Sequence, residues 1–304
     1  MGGIQARMDF NMCLATYVRH DSAEMVLLSD LFVVEQRHIV PGKAIPALSC
    51  FSDLTKVNRE GVPEWATMVR HRDAMCCGVG SVALFLFLRW QVEGHSRPDF
   101  SSRRAWYFDY LSPGRGADAK TRMAKGTFAE ILKSGLLFLH IVATHYGHFM
   151  RVFSVYLACC HFVARANVGI MGRWTRDKQG MHYESAVKPA DALVGAAGFS
   201  AGTPTLIAAY RTPRAEVLPE AALVDCVFPW LAATAAEVKA RNARLLTASA
   251  AERAAGIDTA AEKVLTQVLP WLATVLLQDL ACLQDQVRPR CSGVASLALR
   301  HAAC

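Results

Sequence analysis

The chain has 304 residues, enough for about two domains at ~150 residues each. A composition that is 53% hydrophobic and 19% charged supplies a sizeable core and excludes a disordered or low-complexity protein. Thirty-three Lys and Arg against 26 Asp and Glu leave a net charge of +7, an excess that fits a nucleic acid or another anionic partner.

Along the chain, Ile4–His20 places Ile4, Met8, Leu14, Tyr17 and Val18 near helical spacing. Met1–Asn11 carries Arg7 and Asp9 and has no apolar run, unlike a signal peptide. Leu31–Val34 and Ile45–Phe51 are short, apolar and partly β-branched, and read as strands. Lys56–Arg70 has a turn signal at Asn58–Gly61 between strand-compatible flanks, which predicts a β-hairpin with a basic tip. Val79–Val92 reads as a helix stopped by Gly94. Residues 96–119 are loop-rich. Thr127-Phe-Ala-Glu130 has the pattern of a capping box that opens a helix running to about Leu139.

A further helix is expected over about Tyr146–Ala164. Pro219–Leu246 and Asp258–Gln286 are Ala- and Leu-rich helical patterns with kinks expected at Pro229 and Pro270. They look like a helical hairpin, so the expected division is 1–204 and 205–304, the second part a candidate interaction or dimerisation element. Val79–Leu88 and Val152–Ala164 are the densest apolar stretches. At about 10 and 13 residues they fall short of the ~18–20 that cross a bilayer, so buried helices and no membrane partner are expected. The overall expectation is a mainly α fold with a small β-hairpin or sheet.

The ten cysteines include two adjacent pairs, Cys76–Cys77 and Cys159–Cys160, and no C-x-x-C. That predicts reduced, mostly buried thiols in a cytosolic or nuclear protein, and neither disulfides nor a zinc site. His145-x-x-His148 lacks the Glu of a His-Glu-x-x-His site, so satisfied or solvent-facing histidines outrank a metal pair. Gly78-Val79-Gly80 is not a dinucleotide fingerprint, and there is no Walker loop or Gly-x-Ser-x-Gly elbow. No cofactor or metal is expected.

Lys56, Arg59, Arg70 and Arg72 form a basic patch around the hairpin, for which a solvated face and phosphate contact weigh about equally. A longer pattern runs Lys56, Thr144-His145, Gly172-Arg173-Trp174, then Tyr183. Phosphoryl transfer through a tyrosine needs a phenol nucleophile, cations on the non-bridging oxygens and an acid for the leaving 5′-oxygen. Singly, Trp174 and Tyr183 are more often core aromatics. In this order the four residues supply most of those parts.

Several blocks then carry a family resemblance: Ser29-Asp30-Leu31-Phe32, Leu54-Thr55-Lys56-Val57-Asn58-Arg59-Glu60-Gly61, Val69-Arg70-His71-Arg72-Asp73 and Cys77-Gly78-Val79-Gly80-Ser81-Val82-Ala83-Leu84. Phe87-Leu88-Arg89-Trp90, Pro98-Asp99-Phe100, Trp106-Tyr107, Thr144-His145, Gly172-Arg173-Trp174, Tyr183, Phe228-Pro229-Trp230 and Leu276-Leu277-Gln278-Asp279 extend them. Over roughly residues 10–290 the chain resembles the Ndc-ten-type DNA-binding domain of the large subunit of the budding-yeast centromere-binding factor. Related domains occur in Crypton-type mobile elements, whose integrases are tyrosine recombinases.

The resemblance implies a fold like the tyrosine-recombinase catalytic domain, double-stranded DNA as partner and a nuclear location. It puts the family's hairpin lysine on Lys56, its helix His on His145, its Trp/His position on Trp174 and its nucleophile on Tyr183. DNA contacts are then expected from Lys56, Arg59, Arg70, Arg72, His145 and Arg173.

The departures point away from catalysis. A gapless match puts Glu24 at the first arginine position and His148 at the second. A carboxylate would repel the scissile phosphate, and a neutral imidazole cannot replace a bidentate guanidinium. Arg151 and Arg173 are the nearest candidates for a substitute guanidinium. Phe149–Val168 looks unlike the family, as divergent sequence or a retained intron would, and the chain starts close to the first recognisable block, as it would if an N-terminal portion were missing. The reading is a degenerate tyrosine-recombinase-like DNA-binding protein. Its rivals are an active recombinase using Tyr183 and a helical interaction scaffold.

Overall fold

The computed structural model describes residues 2–52, 64–114, 118–124, 126–142, 146–174, 188–249 and 256–287. The first helix, α1 (Gly2–Thr16), follows the apolar spacing and buries Met8, Met12, Cys13 and Ala15. Tyr17, at φ 58°, turns the chain into the short α2 (His20–Ala23). Three antiparallel strands follow in the order β1 (Leu31–Gln36), β2 (Ile45–Ser52) and β3 (Glu64–Met68).

Alternation along these strands sorts the two faces. Leu31, Leu48, Cys50 and Met68 enter the main core, while Phe32, Phe51 and Trp65 share the opposite face, Trp65 lying 5.7 Å from Phe32 and 5.3 Å from Phe51. β2 and β3 pair up to Ser52 and Glu64, the arrangement of the expected hairpin. Its tip, with Lys56 and Arg59, lies outside the described residues.

Helix α3 (Gly78–Phe87) continues through a π-helical turn, Leu88–Val92, and ends before Gly94 at φ 68°. Its glycines answer a packing demand. A Cβ on Gly78 would stand 2.8 Å from Met68 Sδ and 3.2 Å from the Asn11 carbonyl, and one on Gly80 would collide with Asp279 Oδ2. α3 therefore sits close against α1, and Asn11 Nδ2 donates across to Ser81 Oγ at 2.9 Å.

The short α4 (Arg103–Trp106) leads on to α5 (Thr127–Phe138). The capping box expected at Thr127 and Glu130 does not form. Gly126 takes the cap position at φ 93°, a left-handed conformation open to glycine, so Thr127 lies one residue inside the helix. Then come α6 (Tyr146–Cys160), α7 (Arg165–Gly172), α8 (Ala190–Ala196), α9 (Pro204–Ala208), α10 (Ala221–Val227) and α11 (Leu231–Thr247). α10 and α11 meet at 78° across Phe228-Pro229-Trp230, the kink expected there.

The unfamiliar stretch Phe149–Val168 is part of the fold. Met150 packs into the main core, and Ala158, Val163 and Val168 into a second cluster with Tyr17, Val69 and Leu193. Of the eight described cysteines, none is disulfide-bonded. Cys13, Cys50 and Cys77 are buried as expected, whereas Cys76, Cys159 and Cys160 are exposed.

The last helices, α12 (Thr259–Lys263) and α13 (Leu269–Val287), are continuous through a second π-helical turn, Val264–Val268. That turn ends just before Pro270, where the missing N–H and the ring disturb the ordinary helical ladder. Thr259–Gln284 is long and apolar enough to cross a membrane. Here Val264, Leu265, Val268, Leu272 and Leu276 close the core begun by α1 and α3. Residues on both sides of 204 thus share one hydrophobic core. An aromatic cluster joins them too, with Trp90 lying 5.7 Å from both Phe228 and Trp230, and Phe100 4.8 Å from Trp106.

A buried ionic knot fastens α13. Arg70, 4% exposed, donates to Asp279 Oδ1 at 2.5 Å and to Gln278 Oε1 at 2.7 Å. Arg214 donates to the same Asp279 oxygen at 2.5 Å and also to the carbonyls of His71 and Arg72. Asp279→Ala would leave two guanidinium groups without their counter-charge. Unfolding in urea is expected to show a loss of about 3–5 kcal/mol, the cost of breaking one side of a buried pair.

Candidate nucleic-acid interface

The Gly172-Arg173-Trp174 motif ends α7. Arg173 takes the left-handed conformation at φ 58°, and the Trp174 N–H bonds back to the Gly169 carbonyl at 2.9 Å. The Trp174 ring lies directly over Gly172, where any Cβ would strike it. Arg151, one helix earlier on α6, places its guanidinium 4.4 Å from the centre of that ring and donates to the Gly172 carbonyl. Trp174 is still 45% exposed, so one face of the stacked pair remains open to a ligand.

Trp174 and Arg151 line a recess of about 340 Å³ with Arg19, His148, Val152 and Val155. Arg19 comes from the turn between α1 and α2, and its Nε is buried with no hydrogen-bond partner. Two guanidinium groups, an imidazole and an indole thus face one opening. Cationic donors converging on one open recess are suited to a phosphate oxygen.

Glu24 does not enter this recess. It is buried, with Oε1 2.8 Å from His20 Nδ1 and Oε2 3.3 Å from Arg122. The chain thus turns Glu24 inward and presents Arg19 at the recess. On its own side Asp9 accepts from Ser112 at 2.9 Å and lies 3.8 Å from His20 Nε2, while the imidazole stacks on Phe128 at 3.7 Å.

Of the residues expected to act, Trp174 lines the recess. Arg173 is turned to the sheet, donating to the Trp65 carbonyl at 2.9 Å. Arg72 is exposed, 5.8 Å over the Phe199 ring, with one bond to the Gly198 carbonyl. Arg70 is the exception to the basic patch. Its guanidinium is buried against Asp279 and Gln278 and cannot meet a phosphate on the surface. Lys56, Arg59, His145 and Tyr183 lie outside the described residues.

Arg151, one of the two substitute candidates, is at the recess. Arg19 was not among the residues expected to act: it falls inside the helix predicted over Ile4–His20, and only the turn at Tyr17 brings it to the recess. Among the described residues no group of three His, Cys, Asp or Glu could hold a metal ion.

The chain belongs to the family of the centromere DNA-binding protein complex CBF3 subunit, domain 2, whose model matches residues 4–292. Among solved structures it is similar to a chain of the "Flpe-Holliday Junction Complex", with 13% identity and a TM-score of 0.45. The likeness covers 75% of this chain and 55% of that one, so the chain spans about half the length of that protein. No curated protein matches it.

The Asp9–His20–Glu24 cluster beneath the recess carries a pH dependence. Burial lowers the His20 pKa, but hydrogen bonds and charge from Asp9 and Glu24 outweigh it and push the group up to about 9. A pKa raised on folding stabilises fully below the unfolded value, ~6.5, and that contribution fades as pH rises through the folded one. Stability is therefore expected to decline between about pH 6.5 and 9. In His20→Gln that part of the decline should vanish, as read by urea midpoints across the range.

Proposed function

We propose that this chain is a duplex-DNA-binding domain that holds a backbone phosphate in the recess of Arg19, His148, Arg151 and Trp174 without cleaving it. The observation that carries this reading is the convergence of those four side chains on one opening. Membership of a centromere DNA-binding complex family supports it, as does the net charge of +7. Lys56, Arg59 and Arg72 would add contacts along the backbone. A DNA partner implies a nuclear location. Descent from a Crypton-type element, and homodimerisation through residues 205–304, belong to the same reading.

Binding by phosphate contact has a salt signature. Each contact removed lowers the slope of log affinity against log salt by about 0.9. Arg19→Ala is expected to cost about one such contact on duplex DNA of any sequence, measured by fluorescence anisotropy between 50 and 200 mM salt. The triple variant Lys56→Ala, Arg59→Ala, Arg72→Ala should lower the slope further. Wild-type affinity and slope in both would remove phosphate binding from these residues and leave the interaction scaffold.

A second reading, an active tyrosine recombinase, is favoured by one observation: Arg19 and Arg151 bring two guanidinium groups to the recess. Against it, Arg151 already bonds the Gly172 carbonyl and stacks on Trp174, and His148 occupies the position that resembles the second arginine's. One missing donor at a phosphoryl-transfer site costs about 10²–10³ in rate. On a nicked phosphorothiolate substrate we expect no covalent DNA adduct on a denaturing gel. An adduct that disappears in Tyr183→Phe would establish the recombinase instead.

A further inference from the structure

A second cavity, of about 360 Å³ and bordered by Gln5 of α1, contains a charge that the DNA-binding reading does not use. Phe85 and Arg89, from α3 and its π-helical turn, form one wall. Gln5, Pro113 and Met123 form another, and His95, Thr127 and Ile131 border it. The volume is within the ~300–1,000 Å³ range of small-molecule sites, as is the mixture of apolar walls with a few polar groups.

Arg89 is 4% exposed, yet its guanidinium is barely satisfied. Among the described residues one of its five N–H donors makes a bond, at 3.4 Å to the Tyr110 carbonyl, beyond the usual N–H···O range. Asp109 is close enough to oppose the desolvation but makes no ion pair with it among the described contacts. Burial outweighs that influence and pulls the Arg89 pKa down to about 10. A buried charge ordinarily comes with a partner, because an unpaired one is costly.

From this geometry we infer that the Arg89 cavity binds a small organic carboxylate, its carboxylate on the Arg89 guanidinium and its apolar body against Phe85, Met123 and Ile131. A planar fork matches a carboxylate bidentately. The apolar walls disfavour a bare phosphate, which would lose water on several sides and regain bonds on one. Gln5 is already committed, its Nε2 donating to Ser112 Oγ and to the Pro113 carbonyl, so it braces the wall beside the ligand. The cavity shares no lining residue with the Arg19 recess, so this inference stands apart from DNA binding.

The test uses the full chain with benzoate and hexanoate as probes, benzamide as the neutral isostere and inorganic phosphate as the bare anion. Binding is followed by calorimetry and by the methyl resonances of Met123 and Ile131. Benzoate or hexanoate is expected to bind saturably and to shift both resonances, with benzamide at least about tenfold weaker and phosphate without effect. Arg89→Met should abolish binding. Should that variant not fold, Ile131→Trp fills the cavity from the half-buried face of α5 and should abolish binding while melting like the parent. The inference is overturned if the carboxylates do not saturate, as when the cavity holds only water. Equal binding of benzamide or phosphate, or carboxylate binding that survives both variants, would overturn it equally. Retention on duplex DNA should be indifferent to benzoate, which keeps this outcome separate from that of the phosphate recess.

Discussion

The fold depends on one carboxylate. Asp279 projects from α13 into the interior and takes Arg70 from the end of β3 and Arg214 from a segment 65 residues before it. Each guanidinium also bonds elsewhere, Arg70 to Gln278 and Arg214 to the His71 and Arg72 carbonyls. In a low-dielectric interior such an arrangement is tolerable only while all its members are present. It accounts for Gly80 as well, since α3 must leave room for the Asp279 side chain. The sheet, α3 and the last helix are thereby held in one register.

That register shapes the surface. With Arg70 drawn inward, Arg72 is the exposed cation of the Arg70-His71-Arg72 run, lying over Phe199 and bonded to the Gly198 carbonyl. The α1–α2 turn is likewise held from beneath, by His20 between Asp9 and Glu24, with Phe128 stacked on the imidazole. Arg19 is the residue just before that anchored histidine. Its position at the recess follows from the buried cluster next to it, and the same cluster pairs the Glu24 carboxylate away from the opening.

The two arginine-bearing cavities differ in a way that separates their chemistry. The Arg19–Arg151 recess has an exposed indole and two cations, and suits a charged polymer that passes across it. The Arg89 cavity has one buried cation among apolar walls, and suits a small molecule that enters it. Helix α1 lines the Arg89 cavity through Gln5, and the turn that follows the helix carries Arg19 to the recess.

Much of the architecture was legible in the sequence, because local chemistry sets it. Short apolar, partly β-branched runs marked β1 and β2, Gly94 marked the end of the helix that α3 and its π-helical turn form, and Pro229 marked the break between α10 and α11. The aromatic motifs around Trp90, Phe100, Trp106 and Trp230 proved to be one core cluster joining residues far apart in the chain. What the sequence could not decide was the direction of individual charges. Arg70 and Arg72 stand in the same basic run, and only a partner 209 residues away turns the first inward. Glu24 and Arg19 lie five residues apart, and only the histidine and arginine packed on Glu24 decide which of the two meets the recess. The Thr127 capping box failed for a similar reason, since Gly126 could adopt a conformation that moved the helix start by one residue. Periodicity and turn chemistry act over a few residues and can be read from the chain. Desolvation and ion pairing depend on what lies opposite in space, which only the folded structure determines.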